Sequence, residues 1–300
     1  MNRRTPSRHV ETSAVTAAFP AISVVPVWLL ALFVFWLPIK QFWTIKFWVF
    51  AAIYLGAGIL LFFRPVQRLV LTRLLGARRP TRAEEAVLHP VWREVTQAVH
   101  LPAKRFVLAV IDTDELNAFA SGGHLVVVTS YAVEVLPDPE LAGVLAHELS
   151  HHLGLHTVAL TITQWLLLPV LVLARVGFLF RAIARAATDT FATESPALTG
   201  IGKLIAAAFS LIAWIFLAGV LVSNAIGNAV GRGAEFQADR RAVSMGFGPQ
   251  LAAALRRFVA SGLAERPVRW HERLFASHPP ARTRVARIEA MLRQRWRSHR

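Results

Sequence analysis

The 300-residue sequence contains no cysteine, and this absence excludes several kinds of site at once. Disulfide bridges, thiolate metal sites and a cysteine nucleophile are all impossible. A metal ion in this protein would therefore have to be bound by histidine, aspartate or glutamate. Acidic residues are also scarce: 18 Asp and Glu stand against 33 Lys and Arg, which gives a formal net charge of +15.

The basic excess does not by itself indicate a nucleic-acid-binding protein. The most basic stretches are residues 64–105 and 256–300. Such patches can bind phosphate backbones, but no helix-turn-helix, zinc-finger or aromatic RNA-binding motif accompanies them. In a membrane protein, the same excess is expected on cytoplasmic segments. We therefore predict a lipid bilayer as a partner, and no nucleic acid.

Apolar residues make up 55% of the chain and concentrate in long runs. After a basic tail at residues 1–20, two runs within residues 21–63 each approach the length of a membrane helix, and they predict a transmembrane hairpin. A signal peptide is the alternative, but the first run lacks a clear cleavage site and a second run follows it. Two further membrane helices are predicted within residues 155–230, from the runs at 155–174 and 201–230.

Charge predicts the topology of these four spans. The segments outside them carry 27 of the 33 Lys and Arg residues, and four spans place these segments on one side. The positive-inside rule makes that side the cytoplasm, so we predict a multi-pass protein of the plasma (inner) membrane. Arg175, Arg181 and Arg185 oppose this topology. The alternative is a partly inserted hairpin at residues 155–230.

The remaining segments, residues 64–154 and 231–300, have soluble character. In the first, an amphipathic helix is predicted to bury Ala86, Val87, Val91, Val95 and Val99. The runs at 106–112 and 125–130 predict strands, with residues 117–124 joining them. A helix should follow, with Asp138 as its cap and Pro139 in its first turn. The predicted fold is mainly α with a small β-sheet.

The sequence HELSH at residues 147–151 matches the pattern HExxH. On a helix, His147 and His151 lie four residues apart on one face, so both imidazoles can bind one Zn²⁺ ion. Glu148 then points toward the remaining coordination position, where it can accept a proton from water as general base. The pattern therefore predicts a catalytic zinc site, and the predicted topology places it on the cytoplasmic side.

Two neighbouring histidines compete for a role at this site. His152 lies five residues from His147, about 140° around the helix, and should miss the metal. His156 invites comparison with HExxHxxGxxH, in which a glycine turn brings a third histidine to the metal. Gly154 is in place, but His156 comes one residue early, so this alternative is disfavoured.

Catalytic zinc needs a third protein ligand, and Glu235 is the best candidate. Asp239 lies one helical turn further on and could orient a ligand imidazole through its free N–H. The plain alternative is a solvated helix face with Asp239 near Arg240 and Arg241.

Four motifs together resemble one family. HELSH, the upstream NAFASGG (117–123), EFQAD (235–239) and SHPPARTRV (277–285) occur in the order and rough spacing found in HtpX-like membrane zinc metallopeptidases, which belong to metallopeptidase family 48 and are related to the CAAX prenyl endopeptidases. The resemblance covers nearly the whole chain. It implies a helical, zincin-like protease domain on the cytoplasmic membrane face, with one Zn²⁺ per chain and with residues 64–154 and 231–300 as its two halves.

The resemblance also implies residue roles. His147, His151 and Glu235 match the metal ligands, Glu148 the catalytic base and Asp239 an acid behind the ligands. Asn117 begins a segment that lies along the extended substrate and includes Ala118, Phe119, Gly122 and Gly123. His278 and Arg284 match a pair that stabilises the oxyanion, although Val285 replaces the more usual Ile or Leu. Without the resemblance, Asn117 could be a turn former and His278 a helix cap.

We therefore expect a zinc-dependent endopeptidase that acts on peptides or membrane proteins, in quality control or a stress response. An extended substrate is expected to pair with an exposed edge of the strand at 125–130. A CAAX-type prenyl-protein peptidase is one alternative. Another is a non-enzymatic metal-binding membrane protein, in which His156 or His278 would have to close the site as a fourth ligand.

Overall fold

The computed structural model describes residues 18–192, 194–261 and 279–298, which group into two compact units. The apolar unit comprises Phe19–Gly58 and Ile162–Ile226. The polar unit comprises Ile59–Thr161 and the described residues from Gly227 onward. The helices are, in chain order, α1 (Phe19–Phe42), α2 (Phe47–Ile59), α3 (Arg64–Val66), α4 (Thr72–Leu74), α5 (Arg82–Gln97), α6 (Ser130–Val135), α7 (Asp138–Leu153), α8 (His156–Phe191), α9 (Pro196–Ser244), α10 (Gly248–Ala260) and α11 (Ala281–Ser298).

Short helical turns and three strands complete the described chain. A 3₁₀ turn at Leu60–Phe62 follows α2, a π-helical turn at Gln67–Leu71 joins α3 to α4, and another 3₁₀ turn spans Ala103–Arg105. The strands are β1 (Val107–Ile111), β2 (Ala118–Ser121) and β3 (Leu125–Thr129). The prediction of a mainly helical fold with a small sheet is confirmed.

In the apolar unit, large apolar side chains both fill the core and cover the surface. Its core includes Trp28, Leu32, Leu167 and Phe216, while many other large apolar side chains of the same helices are exposed. Inside the unit, the rings of Tyr54 and Trp165 stack with centroids 4.7 Å apart, and each polar group bonds the other residue's backbone carbonyl. An apolar exterior around such a core suits hydrocarbon as solvent.

Three helices are long and apolar enough to cross a membrane: α1, α8 and α9. A fourth span exists only if Phe47–Phe62 and Arg64–Leu74 are taken together, and these two segments are bent by 76°. The four predicted spans thus correspond to three single helices and one broken one.

The last two spans are longer than their apolar runs. The run at 155–174 predicted only the first half of α8, which continues to Phe191. The run at 201–230 predicted the middle of α9, which extends from Pro196 to Ser244. The intervening segment is rich in Ala and Arg, which are strong helix formers without being a long apolar run. Hydropathy alone therefore underestimated both helices.

The sheet of the polar unit has the strand order β1-β3-β2. β1 pairs in parallel with β3, and β2 pairs antiparallel with β3. All five residues of β3 are buried, with Val126 and Val128 in the main core and Leu125 and Val127 in a smaller cluster. A strand covered on both faces needs a continuous apolar run, as LVVVT supplies.

The segment predicted to join two strands contains a strand of its own. Ala118–Ser121 forms β2, and the turn after it places Gly122 at a φ of +63°. In the residues AFAS, Phe119 alone favours a strand, and the small residues around it do not, so the local strand preference is weak. The prediction of a simple connection was wrong for this reason.

Helices α5 and α7 differ from their predictions in detail. α5 begins with a capping box between Thr81 and Glu84, and it buries Leu88 and Trp92, while Ala86 is exposed. In α7, Pro137 occupies the cap position and Asp138 lies in the first turn, so the cap prediction was wrong by one residue. α7 packs against α5, α10 and β2, which makes it the central helix of the polar unit.

Gly143 sets the close approach of α7 to α10. A Cβ atom at this position would lie 2.7 Å from the carbonyl carbon of Gln250 and equally close to backbone atoms of Leu251. Backbone atoms cannot rotate away, so Gly143→Ala must separate the two helices. We expect a loss of about 1–3 kcal/mol in stability, which is the usual effect of overpacking.

Thermal unfolding of the detergent-purified variant should show a lower midpoint than that of the wild type. Gly200→Ala in α9 is the matched control, because its new Cβ meets no atom within 4 Å. It should be neutral or slightly stabilising, since Ala favours helix over Gly by about 1 kcal/mol. Equal midpoints for the two variants would contradict the close-packing explanation.

Candidate metal centre

The two histidines of the HExxH pattern lie on one face of α7. They are four residues apart, and their Nε2 atoms are 3.2 Å from each other. Both side chains are buried, with His147 3% and His151 7% exposed. The helix is regular here, and the Ser150 hydroxyl donates to the Ala146 carbonyl within it. The spacing of the motif thus brings the two imidazoles to one point.

A third donor reaches this point from α9. The carboxylate of Glu235 places Oε2 3.3 Å from His147 Nε2 and Oε1 3.1 Å from His151 Nε2. These three residues form the group of His, Asp and Glu side chains within the described residues that could hold a metal ion. Glu235 is itself buried, at 4% exposure.

The chemistry of the three donors fits zinc. A tetrahedral zinc site with bonds of about 2.0–2.1 Å separates its ligand atoms by about 3.3 Å. The two Nε2 atoms are 3.2 Å apart, and each lies close to a different oxygen of Glu235, at 3.3 Å for His147 and 3.1 Å for His151. Two imidazole nitrogens and a carboxylate are also a typical set for a catalytic zinc ion, which keeps its fourth position for water. The three side chains therefore bring a suitable set of donors together at one point.

Asp239 and Arg284 form a second layer behind the donors. Asp239 Oδ1 accepts a hydrogen bond from His147 Nδ1 at 3.0 Å, which turns the Nε2 atom toward Glu235. Arg284 donates to both oxygens of Asp239, from Nε at 3.0 Å and from Nη2 at 2.7 Å. A two-point bond of this kind fixes the plane of the carboxylate. Asp239 is 1% exposed, so the alternative of a solvated helix face is wrong.

Burial acts differently on the two histidines. For His147, burial and the Arg284 charge lower the pKa, but hydrogen bonds to Asp239 and Glu235 outweigh them and leave the pKa raised to about 9. For His151, burial dominates, and its pKa is lowered to about 4. In the absence of metal, the negative charge of the surrounding carboxylates thus favours a proton on one imidazole and not on the other.

Glu148 is buried beside the donors, at 5% exposure. It follows His147 on α7 and is not a member of the group that could hold the metal. Burial lowers the pKa of Arg284, but the contacts with Asp239 and the charges of Glu235 and Glu148 outweigh it and leave that pKa raised. Glu148 therefore belongs to the same electrostatic cluster as Arg284.

The competing histidines do not join the donor group. His152 directs Nε2 to the Leu125 carbonyl at 3.1 Å and Nδ1 to the Thr157 hydroxyl at 3.2 Å. The His156 ring lies with its centroid 5.5 Å from that of His151, at the start of α8. The two imidazoles thus lie beside the donor group without belonging to it.

The segment predicted to lie along a substrate occupies one edge of the sheet. Ala118 and Phe119 lie in β2, and the exposed Asn117 precedes it, with its backbone bonded to Thr129. Gly122 and Gly123 form the turn that follows, and a Cβ at Gly122 would meet the side-chain amide of Gln67. The turn alone therefore explains why Gly122 is a glycine.

The strand expected to receive the substrate is not an edge strand. β3 lies in the centre of the sheet and is paired on both sides. Within the described part of the chain, no strand pairs with the outer edge of β2. The strand β2 also packs against α7. The predicted pairing with residues 125–130 was wrong because the predicted sheet lacked β2.

Of the two residues predicted to stabilise the oxyanion, only Arg284 belongs to the part of the chain that the structure describes. His278 lies outside the described residues. Arg284 is 7% exposed, and besides its bonds to Asp239 it places Nη1 3.5 Å from Glu235 Oε2. Arg284 thus contacts the carboxylates of the site, and its role toward the substrate stays a prediction.

Sequence reasoning missed the role of Arg241. This residue of α9 donates from Nη1 to the Ser150 carbonyl at 2.8 Å, at the C-terminal end of α7. The Ser150 carbonyl also accepts the backbone N–H of Gly154 at 3.0 Å, so Arg241 adds a second donor there and ties α9 to the turn that carries His151. The basic pair after EFQAD could have indicated such a contact.

Comparisons with known proteins identify a peptidase family. Residues 82–292 match the model of Peptidase family M48. A protein of Salinibacter ruber named Protease HtpX homolog is 26% identical over 245 residues, covering 74% of this chain and 80% of its own length. A Desulfotalea psychrophila protein of the same name is 30% identical over 225 residues, covering 69% of this chain and 74% of its own length.

A solved structure resembles the fold. The crystal structure of S. mikatae Ste24p aligns with a TM-score of 0.51 at 17% identity, over 92% of this chain. This chain spans 64% of the length of that one. At this level of identity, the likeness concerns the fold alone.

The contact between Asp239 and His147 should matter for metal affinity. Asp239→Asn keeps the shape of the side chain but removes the charge that holds the imidazole. We expect zinc affinity to fall about 10–100-fold, as is usual when the partner of a ligand histidine is lost. Competition with a chromogenic chelator would measure it, with Asp189→Asn in α8 as the matched control. Equal affinity for both variants would contradict an orienting role for Asp239.

Proposed function

This chain belongs to peptidase family M48 and is a metallopeptidase of the membrane, and from that premise we propose that it is a zinc-dependent endopeptidase. The earlier resemblance to HtpX-like peptidases agrees with the family match and with the names of the curated relatives. The observation that carries the proposal is the buried group of His147, His151 and Glu235, a set of two imidazoles and one carboxylate that suits a catalytic zinc ion.

In this proposal the three donors hold the ion and leave one position open. A zinc ion held there would act as a Lewis acid toward water and the peptide carbonyl. Glu148, which follows the first ligand on α7, accepts the proton of the attacking water at its carboxylate and passes it to the leaving amine. Asp239 keeps the His147 imidazole in place through Nδ1. Arg284 and His278 are proposed to stabilise the oxyanion, and Arg284 also holds the plane of Asp239.

The substrate is proposed to be an extended peptide that pairs with β2. Main-chain hydrogen bonds to an open edge recognise backbone and not side chains, which gives weak sequence specificity. Support comes from the outer edge of β2, which faces no other strand within the described residues and belongs to a strand that packs on α7. Asn117, at the start of this edge, offers an exposed amide for a further bond to the peptide backbone.

The biological setting is proposed from the apolar helices and the charge. Three or four candidate spans support substrates that are themselves membrane proteins, as in quality control or a stress response. The Lys and Arg residues outside the spans support an active site on the cytoplasmic side of the plasma membrane. Of the two histidines that could close a structural metal site as a fourth ligand, His156 does not belong to the donor group, and His278 lies outside the described residues.

Two isosteric substitutions separate the base from the ligand. Glu148→Gln should keep a full equivalent of zinc and lose casein degradation by about 10²-fold or more, because the amide cannot accept the proton. Glu235→Gln makes the same chemical change at a donor of the site and should lose both zinc and activity.

Metal content and chelator-sensitive proteolysis would be measured on protein purified in detergent. Glu134→Gln, an exposed glutamate of α6, is the control and should retain both properties. Full activity in Glu148→Gln would remove this residue from the mechanism. A full equivalent of tightly bound zinc in Glu235→Gln would show that the third ligand is another residue.

A further inference from the structure

A cavity of about 490 Å³ in the polar unit has five Lys and Arg residues in its lining. It lies among the segment that begins at residue 64, α5, the 3₁₀ turn at Ala103–Arg105 and β1. Arg68, Arg79, Arg93 and Lys104 line it, and Glu85 is the acidic residue among the lining side chains. Its volume falls within the range of about 300–1,000 Å³ that is usual for small-molecule sites.

Within the described residues, Arg68, Arg79, Arg93 and Lys104 form no ion pair. A fifth lining residue, Arg78, is bound to Glu84 at 2.7 Å and to Asp112 at 2.5 Å, so its charge is more than balanced. Cations that converge on a concave surface without counter-charge produce a strongly positive potential, which attracts an anion.

Exposed apolar side chains lie next to the cavity on the same segment. Leu69 is 55%, Val70 46% and Leu74 77% exposed, while Arg68 and Thr72 of the same turns line the cavity. The apolar stretch Phe47–Phe62 lies just before this segment, and the two are bent by 76° and could span a membrane only together. A short helical segment with an apolar face and a basic face is typical of the membrane–water interface.

We propose that this cavity binds the phosphate headgroup of an anionic membrane phospholipid, with Leu69, Val70 and Leu74 against its acyl chains. Basic pockets near the cytoplasmic ends of membrane helices bind such headgroups, and the phosphate would supply the missing counter-charge. Nucleic acid suits the cavity less well. Single strands need exposed aromatic rings for base stacking, and Trp92 in the cavity wall is only 2% exposed.

A charge-matched pair of double variants tests the proposal. Arg79→Gln/Lys104→Gln removes two cations that line the cavity. Arg82→Gln/Arg105→Gln removes two cations from neighbouring positions that do not line it, so the change in net charge is the same. Each full-length protein would be purified in neutral detergent and titrated with phosphatidylglycerol or phosphatidylcholine, and bound lipid would be counted by native mass spectrometry.

We expect the wild type to bind phosphatidylglycerol more tightly than phosphatidylcholine. The cavity variant should bind phosphatidylglycerol about tenfold or more weakly, because each Lys or Arg contributes on the order of 1 kcal/mol to anionic lipid binding. The control variant should stay within about twofold of the wild type. Unchanged zinc content and melting temperature would establish that both variants are folded.

Three outcomes would overturn the proposal. Equal loss in both double variants would mean a diffuse effect of surface charge. Displacement of the lipid by millimolar inorganic phosphate would mean a site for free phosphate and not for a lipid. Tighter binding of a labelled RNA oligonucleotide than of phosphatidylglycerol, lost in the cavity variant, would mean a nucleic-acid site.

Discussion

The convergence of one carboxylate on two imidazoles decides how the rest of the polar unit is arranged. With neutral imidazoles, the three buried carboxylates of Glu148, Glu235 and Asp239 and the guanidinium of Arg284 sum to a formal charge of −2. Burying such charge is costly unless it is balanced. A divalent cation held by the three donors would balance it, at a place where these ionisable groups are all less than 10% exposed. Hydrogen bonds to Asp239 and Glu235 raise the pKa of His147 against the opposing effect of burial.

Packing around α7 makes this arrangement rigid. Gly143 lets the backbone of α10 approach α7 on one side, and β2 also packs on this helix. Near the C-terminal end of α7, Arg241 donates to the Ser150 carbonyl. Each contact fixes the helix that carries both imidazoles, while the carboxylate arrives from α9. A site whose ligands are locked by their surroundings holds the metal in a productive geometry. The histidines beside the ligands, His152 and His156, contribute to this surrounding structure.

The structure also shows where the excess Lys and Arg residues lie. Many of them are paired or dispersed, as with Arg78 and its two carboxylate partners or Arg257 and Glu140. One cluster, around Arg79 and Lys104, is neither, and it lies beside apolar side chains that face solvent. In a membrane peptidase, charge of this kind is better explained by the lipid surface than by nucleic acid.

The sequence by itself determined the main features that depend on local periodicity or on a continuous run, although the apolar runs underestimated the lengths of α8 and α9. The spacing of HExxH placed two imidazoles on one face, LVVVT and VLAVI predicted their strands, and the apolar runs predicted membrane helices. What it could not determine were the contacts between distant segments. Strand β2 is defined by its pairing with β3, and the strand order decides that the outer edge of β2 is free. The partners of Arg284 depend on the approach of α11 to α9. Such contacts depend on how separate elements pack in three dimensions, and only the tertiary structure decides them.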